Sequence, residues 1–289
     1  MSVRKFLLPV SSSASSEAAL QTGLMLARMW NAHLEVLHIR SDAREIAPFA
    51  GEGLSGAMLE DMMNASDAEG GARARSLDEQ FQAATKAAFV PVREAKPGAN
   101  EPSASFTDLT GREEQLVAFK ARLADLTIVP HPLAGDDAAT ADALHAVLFD
   151  SGRPVMLAPL QTPQTIGKRV TVAWNGTARA ASALSSAMPF IRQAEAVRVL
   201  ISDDYSRPGP SGQEAADYIA HHGIKADVAR FAPRNREVGA GLLAAAAEFG
   251  ADLMTMGAYS TASRLRQLIL GGTTRHVLEN AHLPVLMNR

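Results

Sequence analysis

The sequence predicts an α/β protein made of two tandem copies of one doubly wound, five-stranded parallel-sheet domain. Three observations carry the prediction. Short apolar runs alternate with helix-length segments along the chain, the pattern of strands joined by right-handed helical crossovers. The same ordered set of runs occurs twice. The 289 residues leave room for two domains of ordinary size, and 47% hydrophobic with 20% charged residues is an ordinary globular composition.

The repeat is legible residue by residue. Ala124-Asp125-Leu126 recurs as Ala251-Asp252-Leu253, offset by 127. Val147-Leu148 recurs as Val277-Leu278, and Pro154-Val155-Met156-Leu157 as Pro284-Val285-Leu286-Met287, both offset by 130. The run 6–10, followed by Ser11, corresponds to 170–174, followed by Asn175. The linker-like stretch Gln161-Thr162-Pro163-Gln164 marks the joint, which divides the chain into domains 1–160 and 161–289.

In the second domain, strands are expected at 169–174, 196–201, 226–231, 252–256 and 284–287, with helices between them at 178–193, 213–222, 236–249 and 273–281. Thr177 suits an N-cap, and Gly223 and Gly250 suit helix ends. In the first domain, strands are expected at 5–10, 33–39, 104–109, 126–129 and 154–157. Helices are expected over 59–88, 113–123 and 141–149, and 91–102 carries three prolines and is irregular. Met58, Met62 and Met63 have helical spacing and are expected to fill core.

Composition excludes several functions. There is no cysteine, hence no disulfide, zinc–thiolate site, iron–sulfur cluster or thiol nucleophile. No run of 18 apolar residues exists, and 1–10 turns polar at Ser11 too early for a signal peptide, so a cytoplasmic protein without a membrane span is expected. A net charge of −3 makes no case for nucleic acid. The first 160 residues carry 14 basic and 21 acidic side chains, and the remainder 14 and 10. An anion is more comfortable in the second domain.

Doubly wound sheets bind ligands beyond the carboxyl ends of their strands. After the fourth strand of the second domain come Gly257-Ala258-Tyr259-Ser260-Thr261, then Gly271-Gly272-Thr273-Thr274 opening a helix. Glycines and hydroxyls at a helix N-terminus suit a phosphate, because free N–H groups and the helix dipole both favour negative charge. A plain loop with Thr273 as cap fits the same spacing. The segment is neither a Walker A loop nor G-x-G-x-x-G.

The tail M-G-A-Y-S-(x10)-G-G-T-T-R-H-V-L-E-N-A-H-L-P-V-L-M resembles the universal stress protein (UspA-like) family, whose nucleotide-binding members carry G-x2-G-x9-G-(S/T) after the fourth strand. The resemblance covers nearly the whole chain as two tandem domains. It implies a Rossmann-like, adenine nucleotide alpha hydrolase-like fold and a cytoplasmic stress-response protein. It also implies ATP or a related adenine nucleotide, with magnesium, in the second domain, and little or no hydrolysis. Residue by residue, the first motif glycine falls on Gly257, the second on Ser260 or Thr261, the third on Gly271, and the following position on Gly272, with Thr273 and Thr274 beside it. The nucleoside would meet Met256, Ile201 and the end of the first strand at Ala173, Trp174 and Asn175. Two departures stand out: no glycine occupies the second position, and the loop is one residue longer than the common pattern. In addition, uncharged Asn175 stands where the family often has aspartate.

In the first domain the corresponding segment holds Asp136 and Asp137, with no glycine pair before the helix, and the strand-one position is Ser11. That domain reads as a degenerate copy serving as structural partner of the second. The family resemblance implies association through 154–157 and 284–287, either as a pseudo-dimer within one chain or as a homodimer. No catalytic or metal site is expected. Arg264, Arg266 and Arg275 read as solvated charges, Asp203 and Asp204 as ordinary strand-end acids, and His131, His276 and His282 as surface or loop residues. Two alternatives stand beside nucleotide binding: a fold kept for protein or small-ligand contacts, and a weak ATPase.

Overall fold

The apolar runs become strands of one continuous sheet. The computed structural model describes residues 3–11, 13–40, 56–132, 138–202, 207–259 and 272–289. In the first half, β1 (Lys5–Val10), β2 (His33–Arg40), β3 (Ser103–Thr110), β4 (Leu126–Val129) and β5 (Val155–Leu157) are joined through helices α1 (Ser13–Trp30), α2 (Gly56–Ala87), α3 (Glu113–Ala121) and α4 (Ala138–Asp150). The second half repeats the plan with β6 (Arg169–Ala173), α5 (Ala178–Ile191), β7 (Ala196–Ser202), α6 (Gly212–His221), β8 (Ala226–Phe231), α7 (Val238–Phe249), β9 (Leu253–Gly257), α8 (Thr273–Asn280) and β10 (Val285–Asn288). Every element expected from the sequence is present, and α1 is an addition to them. Among the described residues no helix is long and apolar enough to cross a membrane.

The sheet has ten strands in the order β3-β2-β1-β4-β5-β10-β9-β6-β7-β8. Pairing is parallel except between β5 and β10, which run antiparallel with Met156 opposite Leu286. The two halves are thus related by a pseudo-twofold axis, and the 154–157 and 284–287 segments pair within one chain. Strand order reverses between β1 and β4 and again between β6 and β9, which creates two switch points.

Central strands covered on both faces read as continuous apolar runs. One core layer lies under α1, α2, α5 and α6, with Phe6, Leu24, Phe81, Val170, Leu184 and Ile219 among its members. The other lies under α3, α4, α7 and α8, including Leu7, Val117, Leu144, Leu242, Met254 and Val277. Both layers run across the joint. Trp30 at the end of α1 meets Phe190 of α5 edge to face, with ring centroids 5.5 Å apart.

Two expectations need correction. Met58 and Met62 are not core filler. They stand 53% and 50% exposed, because α2 packs only through its later turns, at Ala74, Leu77, Phe81 and Ala84. His131 is not a surface residue. It is 1% exposed, and its ring hydrogen-bonds the Ala281 backbone. Burial, with His282 nearby, pushes its pKa below the ordinary histidine value.

A buried carboxylate sits on β2. Glu35 is 6% exposed and receives Lys120 Nζ at 2.8 Å and Lys5 Nζ at 2.8 Å, one on each oxygen. Burial by itself would push the carboxyl up. The two lysine hydrogen bonds outweigh it and hold the group below the ordinary glutamate range.

Candidate functional site

The end of β6 shows how the chain shapes the second switch point. Trp174 continues the ladder, its N–H donating to the Leu200 carbonyl at 2.9 Å. Its indole is buried, and Nε1 donates to the Pro210 carbonyl at 2.8 Å, as a buried indole N–H requires a partner. Asn175 closes the turn into α5. Its Oδ1 accepts from the Thr177 hydroxyl at 2.8 Å and the Thr177 N–H at 3.3 Å. The Thr177 hydroxyl oxygen then accepts from the Ala180 N–H at 3.3 Å, the N-cap expected from the sequence. The Trp174 indole N–H and the Asn175 Oδ1 are therefore both engaged within the second half.

At the end of β9, Gly257 is required by its neighbours. A Cβ there would lie 2.8 Å from the Ala180 nitrogen and 2.8 Å from the Arg179 carbonyl carbon, so the strand end rests on the backbone of the first turn of α5. Ala258 is buried, and its N–H donates to the Asn288 carbonyl at 2.9 Å. Tyr259 follows with φ +51, a left-handed conformation that costs a bulky residue about 1–3 kcal/mol. Its N–H donates to Thr274 Oγ1 at 3.3 Å, tying the strand end to the first turn of α8. Burial pushes the Tyr259 hydroxyl pKa up.

Gly272 is the N-cap of α8, in extended backbone, and no side-chain hydrogen bond from it caps the helix. A Cβ at Gly272 would meet none of the described residues within 4 Å. The first turn holds Thr273, Thr274 and Arg275 and no acidic residue. Arg275 pairs with Glu279 at 2.7 Å, in line with its reading as a solvated charge.

The sheet divides the remaining expected residues. Trp174 and Ile201 lie on the face of α5 and α6. Ala173 and Met256 lie on the face of α7 and α8, Met256 being 4% exposed within that core. What converges at the strand ends is Gly257, Tyr259, Thr274, Gly272 and the start of α5. Ser260, Thr261 and Gly271 lie outside the described residues, as do Asp136, Asp137, Asp203, Asp204, Arg264 and Arg266.

Sequence reasoning missed two features. Ser202, the last residue of β7, is buried, and its hydroxyl has no hydrogen-bond partner among the described residues. No spacing pattern marks a lone serine at a strand end. The second is a contact from the other half. His145 Nε2 lies 2.9 Å from the Tyr259 hydroxyl, and Phe149 stacks at 5.6 Å from the Tyr259 ring.

These features define a class: two doubly wound α/β units sharing one sheet, with a helix N-terminus beside a switch point. Residues 168–289 match the family model described as the Universal stress protein family. The fold extends over the first half as well. The chain is similar to a universal stress protein from Archaeoglobus fulgidus DSM 4304, at 16% identity and TM-score 0.67, covering 100% of this chain and 99% of that one. It is also similar to a protein of unknown function from Pseudomonas aeruginosa PAO1, at 15% identity and TM-score 0.53, covering 99% and 92% of the two chains. At these identities the likeness is one of fold. No curated protein matches the chain.

Proposed function

We propose that the protein is a stress-response regulator whose second domain, 161–289, binds ATP or a related adenine nucleotide with little or no hydrolysis. In this reading the first domain, 1–160, is a non-binding copy that supports it, and the protein works in the cytoplasm. One observation carries the reading. The N-terminus of α8, where a Cβ at Gly272 would meet none of the described residues, stands beside the start of α5 and the end of β9. Two helix starts near one strand end favour an anion. The Ser202 hydroxyl, without a partner among the described residues, is a further group that a polar ligand would satisfy.

In this reading the α8 amides, Thr273, Thr274, Gly271 and Ser260 or Thr261 hold the phosphates. The nucleoside lies towards Ala173, Asn175, Ile201 and Met256, and magnesium arrives on the phosphates. Gly257 contributes by letting α5 approach.

The second reading, a fold kept for protein or small-ligand contacts, is favoured by Asn175, whose Oδ1 is already engaged by Thr177. Mass spectrometry of the small molecules released on denaturation, with a parallel titration of ATP·Mg²⁺, separates the two. The nucleotide reading expects ATP or ADP at about one per chain, since one of two copies keeps the loop. Two per chain would overturn the role given to the first domain. No release and no binding would leave the contact reading standing.

Gly272→Val supplies the internal control. Its side chain meets none of the described residues and the backbone is already extended, so stability should fall by no more than about 1 kcal/mol, the cost of valine at an N-cap. Binding should be lost, because the isopropyl group fills the space at the helix start. Full affinity in that variant would remove α8 from the site.

A further inference from the structure

The first half touches the second half's site directly. Tyr259 stands two residues past β9, in left-handed backbone. Its ring is enclosed by α4 of the other half, with the hydroxyl 2.9 Å from His145 Nε2, the His145 ring at 5.8 Å and the Phe149 ring at 5.6 Å. Arg289 closes the cluster, its guanidinium 4.1 Å from the Phe149 ring centre. The other end of Tyr259 faces the candidate site, where its N–H donates to Thr274 Oγ1 in the first turn of α8. One residue thus joins α4 of the first half to the helix start of the second.

The pseudo-twofold axis supports a designed contact over a chance one. His131 stands two residues past β4, as Tyr259 does past β9. It too is buried, and it reaches the end of the other half's last helix at Ala281. Each half's strand-four exit is therefore held by the other half's final helix. Only the second half continues from that point into the glycine segment at 271–272.

We propose that the first half is a positioning partner of the second half's site: His145 and Phe149 hold Tyr259, and Tyr259 holds the first turn of α8. The proposal rests on the nucleotide reading only for its consequence, which is that residues outside the binding domain set its affinity. By reciprocity, a ligand at α8 tightens the junction between the halves.

The experiment compares wild-type protein, His145→Phe, Tyr259→Phe, the double variant and His145→Gln. It reads ATP·Mg²⁺ affinity and amide hydrogen exchange at Tyr259. Each Phe variant keeps the ring and removes one partner of the hydrogen bond. The expected result is faster exchange at Tyr259 and affinity lower by about tenfold in either single variant, with no further loss in the double variant. His145→Gln, which keeps an acceptor, should restore most of both. Unchanged affinity in His145→Phe while the wild-type protein binds would overturn the proposal, as would fully additive losses. If the wild-type protein binds no nucleotide, faster Tyr259 exchange in His145→Phe still supports positioning, and the nucleotide reading alone fails. Unchanged exchange in that case overturns positioning too.

Discussion

Gly257→Ala destabilises the protein by about 2–3 kcal/mol, while Gly272→Ala costs no more than about 1 kcal/mol, the difference between glycine and alanine at an N-cap. The resemblance places both glycines in one motif, but they do different work. The methyl group at 257 arrives 2.8 Å from two backbone atoms of Arg179 and Ala180, and a backbone cannot step aside as a side-chain tip can. Either β9 or the first turn of α5 must move. That turn carries the Thr177 cap, and the strand carries Met254 and Met256 in the core. At 272 the added methyl group meets none of the described residues. Denaturant midpoints at constant slope measure both changes. An unshifted midpoint for Gly257→Ala would show that the strand end is not in contact with α5.

Replacing Lys5 and Lys120 together by methionine should cost about 3–5 kcal/mol at pH 7, because it strands the buried Glu35 carboxylate without a cation. The lysines, not the glutamate, are the informative side to remove, since both are part-exposed and reach water if Glu35 is lost. The pH dependence carries the sign. In the wild-type protein the Glu35 pKa is held down, so its contribution is present above the unfolded value of about 4.3 and is lost as the pH falls through the folded value. In the double variant only burial remains, and the folded pKa rises. Lowering the pH from 7 should then recover stability by protonating the carboxyl. Adding Glu35→Leu should recover it at pH 7. Urea titrations from pH 3 to 7 test this, and parallel curves for the two proteins would refute the assignment.

The fold was legible because it rests on local signals. Apolar runs such as Val170–Val172 sit between cap and stop residues, Thr177 does cap α5, and Gly250 does take the left-handed conformation at the end of α7. The duplicated Pro-Val segments announced β5 and β10, and their pairing within the chain was one of two geometries left open. The site was only partly legible. A glycine in a motif reads alike whether it faces a ligand, as Gly272 can, or a helix backbone, as Gly257 does. Trp174 and Met256 were read by position along their strands, but alternation places them on opposite faces of the sheet. His145 carries no sequence signal at all, since its partner Tyr259 lies 114 residues away. Met58 and Met62 misled because helical spacing reports periodicity and not how far a helix overhangs its sheet.

The antiparallel pairing of β5 with β10 changes how the molecule answers to dilution and to mutation. Two separate subunits joined by these strands would fall apart below their dissociation constant, but tethered strands meet at a fixed effective concentration however little protein is present. In a pair of identical subunits every substitution appears twice, on both sides of the axis. In this chain it appears once. One copy is thereby free to drift at its strand ends while the other holds its sequence, and the seam between them needs to fit only in one orientation.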